Sequence, residues 1–124
     1  MKKFSPIKNI KTNINDIKGN ILKNNETYIV QDNPLLNNLI LSSTTLHPNK
    51  HTSGHKHEGQ EEIYFFIKGE GKMEISQTED ATEIFEVKAG DVIQIEDGAF
   101  HKVYNTSSTE DLYFVCVFDG KRNH

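Results

Sequence analysis

No Trp occurs in these 124 residues, and Arg and Cys occur once each, as Arg122 and Cys116. A single Cys excludes an internal disulfide. Cys116 lies inside an apolar run, where a thiol is buried and inert; a nucleophilic Cys needs an electropositive, partly exposed setting. A single Arg leaves almost no bidentate clamp for phosphate, so anion contacts fall to Lys or backbone N–H groups. The longest apolar run, Leu112–Phe118, is far too short to span a membrane. Lys2 and Lys3 have no apolar segment behind them, so no signal peptide is expected. The expectation is a cytoplasmic protein with no membrane contact.

The charge that is present is unevenly spread. Residues 1–50 carry seven Lys against Asp16, Glu26 and Asp32, a net +4. Residues 51–124 carry six Lys and Arg122 against fifteen acids, a net −8. An acidic half of this size argues against nucleic-acid binding, which needs a basic surface.

The patterning divides the chain into an N-terminal arm (1–27), a β-domain (28–120) and a short tail (121–124). In the arm, Ile7, Ile10, Ile14, Ile17 and Ile21 recur at steps of three and four, one stripe of a helix. Ser5 and Pro6 would start it, and Gly19-Asn20 would end it. The intervening Asn and Thr are poor helix formers, so a helix and an irregular leader both remain open. From Tyr28 the text changes to short runs rich in Ile, Val, Phe and Tyr. They cover 28–31, 39–46, 61–68, 72–77, 83–87, 91–95, 101–105 and 112–118, with turn residues between them. Many short strands without intervening helices indicate an all-β sandwich or barrel. The last run is apolar on both faces, which suits a central strand or part of a homodimer interface.

The chemistry concentrates at His55-Lys56-His57-Glu58-Gly59-Gln60-Glu61-Glu62. Residues two apart on an extended chain share a face, so His55 and His57 can aim two imidazoles at one point. Glu62 follows after a loop long enough to bring it alongside. Imidazole and carboxylate together suit Fe, Mn, Ni, Co or Zn. A His pair in a polar loop is ordinarily just solvated, so this segment alone decides little. A second segment, from Gly90 to Asn105, reads as a strand, a Gly turn and another strand opening at His101.

Taken together, the two segments resemble the two motifs of the cupin superfamily. His55, His57, Glu62 and Gly69 match the first, with Asn49 where its leading Gly belongs. Gly90, Gly98, His101 and Asn105 match the second, with Glu96 in place of Pro. Both departures fall at turn positions. The resemblance covers about residues 39–118. It implies a small jelly-roll barrel, a double-stranded β-helix, with one divalent metal held by His55, His57, Glu62 and His101 at its mouth. Such a set leaves two positions of an octahedron open for substrate or water. By strand parity Tyr64 and Phe66 share the face of Glu62, and Val103 and Asn105 that of His101. Tyr64, Phe66 and Asn105 are therefore the expected substrate contacts, while Ile63, Phe65 and Ile67 should pack between sheets. His47, His51 and His124 are not expected to be ligands.

A fold of this kind hosts many activities. The run Thr52-Ser53-Gly54-His55-Lys56-His57, then Glu62-Ile63-Tyr64, then Ile67-Lys68-Gly69-Glu70-Gly71, is similar to cupin-type phosphoglucose isomerases. That likeness implies a metal-dependent sugar or sugar-phosphate isomerase acting on a small-molecule substrate. Against it stand the missing Pro-rich turn before His101 and the scarcity of Arg for a phosphate. A non-haem Fe(II) dioxygenase using the same four ligands, and a non-catalytic ligand-binding or sensory cupin, are the alternatives.

Overall fold

A computed structural model describes residues 10–56, 58–78 and 80–120. Nine strands occur in chain order: β1 (Asn20–Asn24), β2 (Tyr28–Asn33), β3 (Leu39–Leu46), β4 (Glu62–Lys68), β5 (Glu70–Ser76), β6 (Thr82–Lys88), β7 (Val92–Ile95), β8 (Phe100–Asn105) and β9 (Leu112–Asp119). No helix occurs among the described residues. The strands form two antiparallel sheets, β1-β2-β3-β9-β4-β7 and β6-β5-β8. This is the all-β, two-sheet jelly-roll architecture expected from the sequence.

Alternation decides what lies between the sheets. On β4 the residues Glu62, Tyr64 and Phe66 are buried, while Ile63 is 36% exposed. Tyr64 and Phe66 join Leu46, Met73, Val103, Leu112 and Phe114 in one apolar cluster. Ile63, Phe65 and Ile67 therefore do not pack between sheets; they lie on the opposite, outer face of the large sheet. The error in that expectation is physical. A two-sheet barrel has one interior, so cavity-facing and sheet-packing residues are the same set.

The doubly apolar run becomes β9, a central strand between β3 and β4. Gly69, at φ +87°, turns the chain from the large sheet into the small one. A Cβ there would collide with the carbonyl of Asp111.

The Ile stripe does not form a helix over the described residues, and Ser5, Pro6 and Ile7 lie outside them. Asn13 and Asp16 close a turn through reciprocal backbone hydrogen bonds of 3.3 and 2.8 Å. Lys18 and Gly19 both take positive φ, and β1 then pairs with β2, eight residues before the expected border at Tyr28. Among the described residues of the stripe, Ile17 is buried, whereas Ile10, Ile14 and Ile21 are exposed. Three side chains hold this strap on the outer face of the large sheet. Asn33 Nδ2 donates to the Ile17 carbonyl (2.8 Å), Gln31 Nε2 to that of Lys18 (2.8 Å) and Tyr113 Oη to that of Ile14 (2.9 Å). Poor helix propensity at Asn and Thr gives way to these tertiary hydrogen bonds.

Candidate metal centre

Residues 50–55 run as an irregular edge beside β8. Thr52 N–H donates to the Val103 carbonyl (2.9 Å), and Thr52 Oγ1 accepts from Val103 N–H (3.0 Å). His55 and His101 exchange backbone hydrogen bonds of 3.1 and 2.9 Å. That cross-strand pairing sets their rings edge to face, with centroids 4.6 Å apart. Asn49 begins this edge with φ +64°, so it supplies the left-handed turn that the Gly of the motif would supply. Glu96 opens the turn before β8, its carbonyl accepting from Ala99 N–H (3.1 Å).

His101 is the best-defined member of the site. It is 2% exposed, and Nδ1 lies 3.3 Å from the carbonyl of Ala99. A carbonyl can only accept, so this contact places the proton on Nδ1. Nε2 then faces Glu62 Oε2 at 3.1 Å, with the Glu62 side chain 7% exposed. Two donor atoms so placed fit a shared cation. Neighbouring donors around a six-coordinate ion with bonds of about 2.1 Å stand about 3.0 Å apart. The ring oriented by a backbone carbonyl is also the usual support of a metal-binding imidazole.

Among the described residues, Glu62 and His101 come into contact, and His55 lies beside His101 at the exposed rim. These residues alone do not close a three-donor group. His57 lies outside the described residues. His47 pairs with Asp111 Oδ1 at 3.1 Å, and His51 Nδ1 lies 2.9 Å from the Thr52 carbonyl. Neither is in contact with Glu62; His124 lies outside the described residues.

Of the expected substrate contacts, only Tyr64 is placed at the site. Its ring meets His101 edge to face at 5.7 Å and stacks on Phe114 at 5.3 Å. Burial raises its phenol well above the ordinary value, with Cys116 and Glu62 adding to the rise. Tyr64 Oη therefore remains a hydrogen-bond donor. Phe66 is 1% exposed, one layer deeper, against Phe114. Asn105 lies four residues along β8 from His101, about 13 Å at strand rise. Its amide donates to the carbonyls of Leu46 (2.9 Å) and Glu110 (2.8 Å), joining two loops at the closed end. Parity placed both residues on the right face, but depth along the barrel removes them from the mouth.

Two features of the site were not foreseen. Cys116 pairs with Tyr64 across β9 and β4. Burial raises its thiol strongly, Glu62 adds to this, and a hydrogen bond with Ser42 opposes it. Ser42 Oγ in turn donates to Asp32 Oδ1 at 2.7 Å, so a polar line reaches the interior from β2. The second feature lies beside the site rather than in it: a cleft of about 860 Å3 at the strand ends on the outer side of the large sheet, where Glu61, Glu96, Asp97 and Asp119 accompany Ile63, Gln94 and Val117. The acids come from the start of β4, the turn after β7 and the end of β9, so no local motif announces them.

The fold and the position of this cluster define a small jelly-roll barrel with a polar group at its mouth. The chain belongs to the cupin family: residues 42–118 match the cupin domain. It is 39% identical over 72 residues to an oxalate-binding protein of Thermotoga maritima, covering 58% of this chain and 54% of that protein. It is 26% identical over 107 residues to a glucose-6-phosphate isomerase of Thermococcus gammatolerans, covering 80% of this chain and 56% of that protein. The match spans about half the length of these curated relatives. Among solved structures, the oxalate decarboxylase of Bacillus subtilis, studied for its Mn(II) centres, superposes with a TM-score of 0.73 at 22% identity. That match covers 84% of this chain and 28% of that one, and it carries the fold.

Proposed function

We propose that this cupin holds one divalent transition metal (Fe, Mn, Ni, Co or Zn) through His55, His57, Glu62 and His101. We read it as a metal-dependent isomerase of a small sugar or sugar phosphate. The observation that carries the metal is the buried 3.1 Å approach of His101 Nε2 to Glu62 Oε2, with Nδ1 committed to a carbonyl. The isomerase reading draws on the similarity to glucose-6-phosphate isomerases over 107 residues, which extends well beyond the two motifs.

A bound divalent ion supplies Lewis acidity to adjacent carbonyl and hydroxyl oxygens. The chain supplies the rest. Ala99 holds the His101 ring in one tautomer. Tyr64 Oη keeps its proton and donates to a substrate oxygen. The Phe114 and Phe66 rings beneath it exclude water from the inner wall. We also propose a homodimer, supported by the partly exposed outer face around Ile63 and Val92.

The test is metal content of protein purified without added metal, followed by aldose–ketose interconversion assays. About one metal per chain, lost in His101→Ala, with interconversion of a sugar, supports the reading. Bound iron with oxygen uptake sinks the isomerase; absence of any bound metal sinks the site. A second reading, a ligand-binding cupin without catalysis, is favoured by the 39% identity to an oxalate-binding protein. It predicts metal and saturable ligand binding with no turnover.

A further inference from the structure

In a two-sheet barrel the inward positions of a strand are apolar and the outward ones polar. β6 keeps this rule at one end and inverts it at the other. Its register with β5 sets Val87 opposite Gly71, Phe85 opposite Met73 and Glu83 opposite Ile75. Met73 and Ile75 belong to the buried apolar cluster, so Val87, Phe85 and Glu83 share the inner face. Ile84 then takes the outer face, where it is 65% exposed. A carboxylate thus faces in while its apolar neighbour faces out. The hydroxyls of Ser76 and Thr82, 2.8 Å apart, lock this register at the end of the pair. A strand that breaks its own pattern at one point marks a position kept for function rather than for packing.

The inversion falls level with the candidate metal centre. Ile75 pairs with Glu83 on one side and with His101 on the other, and His101 pairs with His55. One row across the small sheet therefore reads His55, His101, Ile75, Glu83. The Cα atoms of His101 and Glu83 stand two strand spacings apart, about 9.5 Å. Exposure rises along β6 toward this row: Val87 is 2% exposed, Phe85 37%, and Glu83 is exposed. An inward side chain is exposed only where the facing sheet leaves it uncovered. β6 and β7 are edge strands of different sheets, joined by the turn at Gly90. Solvent therefore reaches the inner face along β6, up to the row that holds His101. Among the described residues no hydrogen bond or ion pair holds the Glu83 carboxylate.

We infer that β6 is the far wall of the substrate site, where Glu83 accepts hydrogen bonds from hydroxyl groups and Phe85 packs on the carbon face of a molecule held by the metal at its other end. The inference rests on the metal and sugar reading above and adds where the rest of the sugar lies. A carboxylate outside any ion pair can accept from two hydroxyls at once. The Phe85 ring adds apolar contact at little cost in side-chain freedom. An apolar wall with a few placed polar groups is the ordinary make-up of a small-molecule site. A two-carbon ligand at the metal would not span the row to Glu83, whereas a polyhydroxy chain crossing Ile75 would.

The test uses two metal-chelating probes that differ only beyond the chelating end: acetohydroxamate, and arabinonohydroxamate with its chain of hydroxylated carbons. Wild type, Glu83→Ala, Phe85→Leu and the outer-face control Ile84→Ala are loaded with Mn2+. Metal content is measured first, and each protein is then titrated calorimetrically with both probes. Glu83→Ala should bind arabinonohydroxamate about tenfold more weakly, the loss of a hydrogen bond to a charged group. Phe85→Leu, which keeps an apolar side chain in place, should weaken it about threefold or more. Neither variant should change manganese content or acetohydroxamate affinity, and Ile84→Ala should change nothing.

Wild type that binds the two probes alike overturns the inference, because the hydroxylated chain then meets no wall. Undiminished arabinonohydroxamate affinity in Glu83→Ala and Phe85→Leu, or an equal loss of both probes, also overturns it while manganese content leaves the metal reading standing. Selective loss of the longer probe, in a wild type that turns over no sugar, upholds the wall and removes the isomerase reading. Failure of wild type to hold manganese or any other divalent ion removes the metal reading, and the inference with it.

Discussion

Gly54→Ala isolates how the His55 edge is held. Gly54 lies at φ +78°, and an added Cβ would stand 2.7 Å from Cζ and 3.0 Å from Cε1 of Phe100. The left-handed conformation costs an L residue about 1–2 kcal/mol. Phe100 is partly exposed and can swing aside, at about 0.5–1.5 kcal/mol for leaving its rotamer. The expected loss is therefore about 2–3 kcal/mol, or about 8–12 °C in Tm for a chain of this length. Gly90→Ala is the control, because Gly90 sits at φ +98° with nothing within 4 Å of a Cβ. It suffers strain without collision and lies away from the His55 edge. Moving Phe100 disturbs the residue next to His101 and the backbone pairing of His55 with it. Gly54→Ala should weaken metal binding about tenfold or more, in the range of lost supporting contacts. Gly90→Ala should leave it unchanged. Denaturant melts and competitive metal titrations measure both quantities. Equal metal affinity in the two variants, despite destabilised Gly54→Ala protein, would refute the positioning argument.

Three further outcomes are expected. His55→Ala, His57→Ala and His101→Ala should each reduce metal affinity by orders of magnitude, while His51→Ala should not; elemental analysis after dialysis distinguishes them. Cys116 has a folded thiol held above its ordinary value of 9.0, so the native state keeps a proton that the unfolded state releases above that pH. Stability from this group is fully present below pH 9 and falls as pH rises, by about 1.4 kcal/mol per unit. Cys116→Ala should remove that slope between pH 9 and 10 in urea melts; an unchanged slope would refute burial of the thiol. Ile17→Ala empties the one buried position of the strap and should cost about 2–4 kcal/mol in the same assay.

Much of the barrel could be read from local signals because its strands alternate cleanly around an apolar interior. The eight expected runs correspond to β2–β9, and the His55, Glu62 and His101 positions follow from motif spacing. The substitution of Asn49 for Gly was harmless for a reason visible only in φ: Asn tolerates the left-handed turn. What escaped reading depends on tertiary context. β1 is exposed along its whole length, so it carries no alternation and owes its form to pairing with β2. The stripe at Ile10, Ile14 and Ile17 has helical spacing, but hydrogen bonds from Gln31, Asn33 and Tyr113 hold it as a strap. Parity cannot report depth, which is why Phe66 and Asn105 share faces with Glu62 and His101 yet lie below the mouth. The acidic cleft gathers Glu61, the Glu96-Asp97 turn and Asp119 from three distant parts of the chain, so no window of sequence contains it.

The central place of β9 also sets an order of events during synthesis. β3 and β4 are adjacent in the chain order, yet they meet only through β9, which pairs with both. Leu39 waits for Asp119, and Glu62 waits for Phe118. Until residues 112–119 leave the ribosome, the β1-β2-β3 run and the β4/β7 pair are unjoined parts of the large sheet with open edges. Pairings so distant in sequence are slow to form and exposed to aggregation meanwhile. A ribosome stalled before residue 112 should therefore carry a chain that neither resists protease as a unit nor captures metal. Emergence of β9 joins the two parts and completes the large sheet.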